Sequence, residues 1–524
     1  MTRTWKQLFL PIFLLQTGFF LFVSRHRFID GDEGFYLLAS RLVTQHKAPY
    51  LDFFYTQAPL LPYVYGLWFK LTGFSWISAR TLSALLTAVL SALLYEQVCR
   101  ETEEWRAGVA AVVLFASSSL VFAWMPIVKT FPLATPCLFG CYMILARLVV
   151  APSSSSAGVA ASTPPQRSQL PAWWLGIAGL LFGLSVDTRS YVVALAPVLV
   201  WWILRENGGK RLARLLWSLG GFVAGTIPSL ILFFASPDAF LFNNLGYHAL
   251  RAGDAGLIGD WQDKLTVAAA TFGGRFTGFQ FSVLVLTCVV ILFTRKMKRK
   301  ASLLAFVIAV VLGFVSLLPT PASMQYFSMI IPFLIVAAVC SGSDCLTSLR
   351  TERAIRIART ACVVGMVCFV GFAFPSFRQY LFTGHKVPGV LGPRDAPNWT
   401  LAQVTAVSSA IDDLASPGEE VISFWPGYLF TSHADPYPGY ENDFGLYVAR
   451  RLPLEKREKY HILMGSDMMA TLEQHGARLV VVGNQGEHVG GPDPHAAADQ
   501  ARLNDYVLVR MVGDTAIYKC CAGR

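Results

Sequence analysis

The sequence predicts a polytopic α-helical membrane protein, with about eleven spans by the length rule, and a small C-terminal α/β domain. Of the 524 residues, 54% are hydrophobic and only 15% are charged, and the mean hydropathy is +0.48. Many apolar runs reach the length of about 20 residues that a bilayer-crossing helix needs. From about residue 376 the chain loses these runs. Together these observations exclude an ordinary soluble protein.

The spans are predicted from apolar runs of sufficient length. They lie at residues 5–24, 77–98, 106–124, 130–149, 172–187, 189–204, 213–235, 279–294, 301–318, 326–343 and 360–375. Because the first run lacks a small-residue cleavage site, we expect it to be retained as a helix. Residues 59–73 are apolar but short, and Pro59 and Pro62 interrupt them. We therefore predict a re-entrant or interfacial segment there.

The loop charges predict an orientation. The net charge is +10, but the basic residues fall mostly in short loops between apolar runs, which argues against a nucleic-acid partner and for contact with membrane lipids. Basic clusters at 205–214, 295–300 and 350–359 share one side of the predicted topology. The positive-inside rule makes that side cytoplasmic. The N-terminus is then inside, and residues 376–524 lie outside the cytoplasmic (inner) membrane.

Two domains are predicted, at residues 1–375 and 376–524. Residues 150–170 are of low complexity and indicate a cytoplasmic linker. The tail carries an amphipathic helical pattern at 400–416. Strand-like runs follow at Val421–Trp425, Arg478–Val482, Tyr506–Val512 and Thr515–Lys519. This pattern is typical of a small extracytoplasmic α/β domain.

The adjacent acids Asp32 and Glu33 follow the first apolar run. Ionised carboxylates do not face lipid without a large cost, so this pair needs water or a polar cavity. Other polar residues predicted on the same membrane face come from separate loops. They are Asp30, Asp52, Gln57, Lys129, Asp187, Arg189, Asn243, Asn244, Tyr247, His248, Arg251 and Gln325.

An ordered set of short motifs resembles a known family. Asp-Glu-Gly-Phe-Tyr at 32–36 is followed by Ala39 and Arg41, by Gln-Ala-Pro-Leu-Leu at 57–61, by Phe-Lys-Leu-Thr-Gly at 69–73, and by Ala79 and Arg80. This set is similar to the N-terminal half of the polyprenyl-phosphate-sugar-dependent glycosyltransferases of the GT-C fold, which include protein O-mannosyltransferases and the lipid A aminoarabinose transferase. The resemblance is clearest over residues 1–200.

The resemblance implies a catalytic role for the acid pair. Transfer of a sugar from a lipid phosphate to a hydroxyl needs a base for the acceptor and positive groups for the developing phosphate charge. Asp32 is predicted to be that base in an inverting reaction, and Glu33 is predicted to orient the acceptor or a cation. The alternative for Asp32 is an ordinary helix N-cap before an amphipathic stretch.

The donor phosphate is predicted to bind Lys129 and Arg189. Arginine suits bidentate phosphate recognition, whereas a local pair between Asp187 and Arg189 is the alternative for that motif. For Lys129 the alternative is snorkelling to the interface.

Five further residues are predicted to bind substrate: Asp187, Gln57, His248, Gln325 and Tyr326. His248 is predicted to contact sugar or phosphate, with an exposed helix face as the alternative. Gln325 and Tyr326 stand where the family often has a polar-aromatic pair near the lipid phosphate. Gln57 stands where the aminoarabinose branch of the family tends to have lysine. The resemblance therefore does not imply that this chain uses the donor sugar of that branch.

The resemblance also departs at one position. The family often has an acid two positions after Lys129, where this chain has Phe131. This leaves any divalent metal uncertain, and we predict no metal ligands and no other cofactor. The predicted partners are a polyprenyl-phosphate-linked sugar donor and a lipid, glycan or protein acceptor.

Two other functions fit the sequence less well. A transporter or flippase of lipid-linked sugars would show related halves or matching interrupted helices, and no such repeat is visible. A polymer ligase with a large outer loop and a diphosphate donor fits poorly with the early Asp-Glu loop.

Overall fold

Long apolar helices form one part of the molecule, and a five-stranded mixed sheet with short helices forms the other. The structure, a computed structural model, describes residues 4–148, 171–205, 211–251, 256–273, 277–294, 297, 299–382, 396–483 and 505–520. The predicted linker at 150–170 lies outside the described residues.

The N-terminal helices include three of the predicted spans and one broken span. They are α1 (Thr4–His26), α2 (Gly31–Thr44), α3 (Leu60–Thr72), α4 (Trp76–Thr102), α5 (Trp105–Ser117), α6 (Ser119–Trp124) and α7 (Thr130–Arg147). The span predicted at 106–124 divides at Ser118, whose backbone is extended with φ −66° and ψ 123°. The interrupted segment at 59–73 forms α3, which begins after Pro59 because proline is tolerated at a helix start.

The middle helices include a closely packed pair and a pair that meets at a bend. They are α8 (Trp173–Thr188), α9 (Ala196–Arg205), α10 (Arg211–Gly225), α11 (Ile227–Ala235), α12 (Pro237–Leu241), α13 (Tyr247–Arg251), α14 (Gly256–Gly273) and α15 (Thr277–Phe293). The backbones of α8 and α10 approach so closely that a Cβ atom on Gly221 would lie 1.9 Å from the carbonyl oxygen of Gly176. Small residues permit such approach between membrane helices. Helices α10 and α11 meet at 63°, just before Pro228.

The last apolar helices are α16 (Lys300–Val315), α17 (Ile331–Thr347) and α18 (Glu352–Phe382). Among the described residues, four helices are long and apolar enough to cross a membrane, and up to six if each bent pair counts as one span. Shorter apolar helices accompany them at 105–117, 173–188, 190–205 and 300–315. The predicted total of spans, their orientation and the domain boundary at 375 stay predictions.

The C-terminal part is the predicted small α/β unit. Its elements are α19 (Leu401–Asp412), β1 (Glu420–Ser423), β2 (Asp435–Pro436), α20 (Leu446–Ala449), α21 (Leu454–Lys459), α22 (Gly465–Glu473), β3 (Leu479–Val482), β4 (Val507–Val512) and β5 (Thr515–Lys519). The strand order is β2-β1-β3-β5-β4. Strand β1 runs parallel to β2 and β3, whereas β5 runs antiparallel to β3 and β4. Only β2 was not predicted, because two residues show no alternation.

Helix α2 is held along its length by the C-terminal part. Near its C-terminal end, the buried guanidinium of Arg41 donates to the carbonyls of Leu429 (2.5 Å) and Ser432 (2.6 Å) and pairs with Asp435 (2.7 Å). At its N-terminal end, the indole Nε1 of Trp425 donates to the carbonyl of Gly31 at 3.0 Å. One hydrophobic cluster joins residues of α2 and α3 with residues of α19 and the sheet. The position of α2 therefore depends on both parts of the chain.

Candidate active site

The N-terminus of α2 is capped by Asp30, not by Asp32. Asp30 has an extended backbone, and its Oδ1 accepts a hydrogen bond from the Asp32 amide at 3.1 Å. In return, Glu33 Oε1 accepts from the Asp30 amide at 2.9 Å. This reciprocal capping box satisfies two amides of the first turn. Since Asp30 does the capping, the N-cap alternative for Asp32 is wrong.

Glu33 lies beneath the helix end in a buried ion pair. Its carboxylate accepts from Arg80 Nη2 at 2.6 Å and from Arg80 Nε at 3.0 Å, and both side chains are fully enclosed. The amide of Val128 donates to the same carboxylate at 3.1 Å. The remaining guanidinium hydrogens of Arg80 are directed at backbone carbonyls, including that of Ser24 at 2.8 Å. These contacts favour a structural role for Glu33, whose catalytic role stays a prediction.

Asp32 is the accessible acid of this cluster, with 33% of its side chain exposed. Its carboxylate pairs with the ammonium of Lys129, which also lies 2.5 Å from Asp30 Oδ1. Lys129 immediately precedes α7 and is almost wholly buried. Its ammonium also lies 5.5 Å from the ring centroid of Trp124. The buried ammonium thus joins the two acids at the start of α2.

The charged groups in this cluster shift one another's pKa values. Burial and the neighbouring Asp30 charge raise the pKa of Asp32 above its ordinary value, although Lys129 opposes them. Burial also works against ionisation of Asp30, but Lys129 and Arg27 outweigh it and hold the pKa of Asp30 below the usual range. For Lys129, burial is outweighed by the two carboxylates, which raise the pKa of its ammonium. Lys129 therefore stays charged, and Asp32 is the more basic of the two aspartates.

Arg189 lies in a cage of aromatic rings. The carbon of its guanidinium lies 4.6 Å from the ring centroid of Phe131, 4.5 Å from that of Tyr191 and 4.7 Å from that of Tyr326. One nitrogen donates to the hydroxyl of Thr130, while the buried Nε has no hydrogen-bond partner among the described residues. Within the described part of the chain, no carboxylate pairs with this cation. The cage thus holds a buried charge that has no counterion among the residues that the structure describes.

Asp187 does not pair with Arg189. Its Oδ1 accepts from the amide of Ser229, near the start of α11, at 3.2 Å, and among the described residues its buried Oδ2 has no hydrogen-bond partner. The alternative of a local pair between Asp187 and Arg189 is therefore not seen in the described contacts, and the two side chains contact different neighbours.

Tyr326 lies beside Arg189, because its ring also packs against Phe131 with centroids 6.3 Å apart. The hydrogen bond from Arg189 to Thr130 places this cation next to Lys129, the residue before Thr130. The adjacent Gln325 has a buried Oε1 with no hydrogen-bond partner among the described residues.

Gln57 lies in the loop before α3, and His248 lies on α13. The carbonyl of Gln57 accepts from the hydroxyl of Tyr50 at 2.5 Å. His248 Nε2 lies 3.1 Å from the carbonyl oxygen of Thr56, and burial lowers the pKa of this imidazole. The His248 side chain thus contacts the loop that carries Gln57, and the Gln57 contact is made by its backbone.

The architecture has counterparts among solved structures. The chain is similar to ArnT from Cupriavidus metallidurans bound to undecaprenyl phosphate, with 13% sequence identity, a TM-score of 0.63, and coverage of 99% of this chain and 98% of that chain. This chain has the ArnT fold. The apo state of ArnT gives the same TM-score at 14% identity, covering 98% of this chain and 97% of that one. No family model matches the sequence, and no curated protein matches it. The GT-C fold implied by the sequence resemblance is confirmed.

Several residues at this site of the ArnT-fold chain were not assigned a role from the sequence. Asp30 was grouped with the polar loop residues, although its spacing to Glu33 is a capping-box signal. Arg80 was part of the family resemblance but had no predicted partner. Within the described residues, no group of three His, Cys, Asp or Glu side chains is arranged to hold a metal ion.

Proposed function

We propose that this chain is an integral-membrane glycosyltransferase that moves a sugar from a polyprenyl-phosphate donor to an acceptor hydroxyl. Asp32 is the general base, and the anomeric carbon is inverted. The enzyme lies in the cytoplasmic (inner) membrane, with its active site and C-terminal domain on the extracytoplasmic side. The acceptor is a hydroxyl-bearing lipid, glycan or protein.

The observation that carries this proposal is the buried cation Arg189, which has no carboxylate partner among the described residues and donates to Thr130, the residue after Lys129. A buried charge is costly unless it is paired. An arginine held by aromatic rings keeps its planar fork free to bind an anion, and phosphate matches that fork. The similarity in fold to a protein that binds undecaprenyl phosphate supports a lipid-linked phosphate as the anion.

Donor binding is proposed to free Asp32 from its ion pair with Lys129. In the unliganded site, Lys129 lies between two carboxylates. A phosphodiester bound to Arg189 offers Lys129 a further anionic partner. When the ammonium turns toward the phosphate, Asp32 loses its strongest attraction and becomes a better proton acceptor, because an opposite charge favours the ionised form of a carboxyl group.

The transfer then follows from the positions of these groups. Asp32 takes the proton of the acceptor hydroxyl, and the acceptor oxygen forms a bond to the anomeric carbon. The bond between that carbon and the phosphate oxygen breaks, and its electron pair leaves with the polyprenyl phosphate. The additional negative charge on the leaving phosphate is stabilised by Arg189 and Lys129. A single displacement of this kind inverts the anomeric centre.

The proposal is tested with purified protein and a panel of polyprenyl-phosphate sugars, comparing wild type with Asp32→Asn. Loss of a positioned general base typically costs 10²–10⁴-fold in rate, so we expect transfer by the variant to fall by about that factor. Asp413→Asn is the matched control, since Asp413 is exposed in the C-terminal part and pairs with Arg510.

A binding measurement distinguishes loss of the catalytic base from loss of the folded protein. The Asp32→Asn variant should still bind undecaprenyl phosphate, because the proposed phosphate ligands are unchanged. A variant that transfers sugar at the wild-type rate would show that Asp32 is not the base. Absence of transfer by the wild type from every donor in the panel would count against the proposed function itself.

A further inference from the structure

Arg27 is a buried cation that follows α1 and precedes Asp30 by three residues. Its guanidinium carbon lies 5.2 Å from the ring centroid of Trp124. Its Nε donates to the carbonyl of Ala123 at 3.4 Å, and its Nη1 donates to the carbonyl of Phe28 at 3.1 Å. These contacts hold the guanidinium beside the acidic start of α2.

One nitrogen of the Arg27 guanidinium has unused hydrogen-bonding capacity. Its Nη2 is buried and has no hydrogen-bond partner among the described residues. This nitrogen lies 4.0 Å from Oδ2 of Asp30, which makes an ion pair but is too long for a hydrogen bond. Because a charge-assisted hydrogen bond is about 2.7–2.9 Å long, a movement of about 1 Å would form one here.

Asp30 is shared by two cations that lie against the same indole ring. The ammonium of Lys129 lies 2.5 Å from Asp30 Oδ1 and 5.5 Å from the ring centroid of Trp124. Arg27, which also lies against Trp124, approaches the other carboxylate oxygen, Oδ2. Lys129 therefore occupies one oxygen of Asp30, while Arg27 remains within reach of the other.

The burial of Asp30 makes the loss of Lys129 costly. Only 17% of the Asp30 side chain is exposed, whereas Asp32 is exposed by 33% and has more access to water. A buried carboxylate without a cation carries a large desolvation cost. A phosphate that attracts Lys129 would therefore leave Asp30 as the poorly solvated anion, unless another cation takes the place of the ammonium.

We propose that Arg27 is a positioning residue that becomes the partner of Asp30 when the donor phosphate draws Lys129 away. The inference rests on the proposed function, in which Lys129 turns from the carboxylates to the donor. Nη2 of Arg27 then donates to Oδ2 of Asp30, so the cap of α2 keeps a counterion. In this exchange Arg27 acts through Lys129 and not on the lipid phosphate itself.

The test measures the affinity of the full-length Arg27→Gln variant for undecaprenyl phosphate in detergent. The variant lacks a hydrogen bond that forms only in the lipid-bound state. A hydrogen bond to a charged group corresponds to about 10- to 150-fold in affinity, so we expect binding to weaken by about that factor. Arg25→Gln is the matched control, because Arg25 is exposed in the last turn of α1 and should bind the lipid as the wild type does.

A double-mutant cycle with Lys129→Gln distinguishes an exchange of partners from a general loss of structure. Without the ammonium, Arg27 can pair with Asp30 before the lipid binds. Arg27→Gln should therefore weaken the affinity of the Lys129→Gln protein by less than about twofold, the usual error of additivity. A general structural effect would weaken binding by the same factor in both backgrounds. Equal losses in the two backgrounds, or wild-type affinity of Arg27→Gln, would overturn the inference.

A second variant keeps the test independent of the folding of Lys129→Gln. Arg27→Lys restores a positive charge beside Asp30, so it should bind undecaprenyl phosphate more tightly than Arg27→Gln; equal affinity of the two variants would contradict the proposal. Because binding needs no transfer, the expected cycle in a protein that transfers no sugar would refute the proposed function and leave the exchange at Asp30 standing. Equal losses in a protein that does transfer sugar would overturn the exchange alone.

Discussion

Replacing Arg189 with lysine tests the phosphate site most directly. The change keeps one positive charge but removes the planar fork, which the rings of Phe131, Tyr191 and Tyr326 hold at 4.5 to 4.7 Å. A lysine ammonium presents a compact charge without bidentate geometry. We therefore expect Arg189→Lys to fold and to bind undecaprenyl phosphate more weakly than the wild type.

The expected loss follows from the contacts that lysine cannot make. One arm of the guanidinium already donates to Thr130, and the unpartnered Nε belongs to the other edge. A hydrogen bond to a charged group contributes about 1.5–3 kcal/mol. Loss of one such bond to the phosphate corresponds to about 10- to 150-fold weaker binding, at 1.4 kcal/mol for each factor of ten.

The assay is lipid-phosphate binding in detergent, with thermal unfolding of each variant measured in parallel. Arg205→Lys is the matched control, because Arg205 also stacks on one aromatic ring, Trp201 at 5.0 Å, but at the other end of the same helical segment. Equal affinity of Arg189→Lys and wild type would refute the reasoning. A loss of affinity in Arg205→Lys of the same size would show a general effect of removing arginine.

Two further predictions concern stability and orientation. Glu33→Gln leaves Arg80 buried without a counterion, so we expect a destabilisation of about 3–5 kcal/mol, measured by thermal unfolding; unchanged stability with lost transfer would make Glu33 a catalytic group instead. In a cysteine-free background, Arg450→Cys should react with an impermeant thiol reagent added outside intact cells, whereas Arg350→Cys should not. The reverse labelling pattern would contradict the predicted orientation.

The apolar pattern predicted the helical regions well because burial in lipid requires length and hydrophobicity, and both are local properties. It did not predict where helices break. The break at Ser118 falls in three consecutive serines inside the predicted span, and no residue there forbids a helix in isolation. Pro228 gave a local signal for the bend before α11, but its angle depends on packing.

At the candidate site, too, features set by neighbouring residues were predictable from the sequence, whereas contacts between distant residues were not. Asp32 and Glu33 are adjacent and chemically similar, so the sequence alone assigns both to one site. Their burial separates them, since Glu33 pairs with an arginine 47 positions away. The cap at Asp30 was readable from spacing. The contact of Phe444 with Phe35 on α2 was not, because more than 400 residues separate the two rings along the chain.

The hold of Arg41 and Trp425 on α2 has a consequence for engineering chimeras. An exchange of C-terminal parts between distant chains of this fold would replace the carbonyls and the indole that hold α2. The position of the acidic N-terminal end of α2 would then change. A productive chimera would therefore have to carry residues 27–45 together with the incoming C-terminal part. In this architecture, two segments from opposite ends of the chain therefore have to be exchanged together.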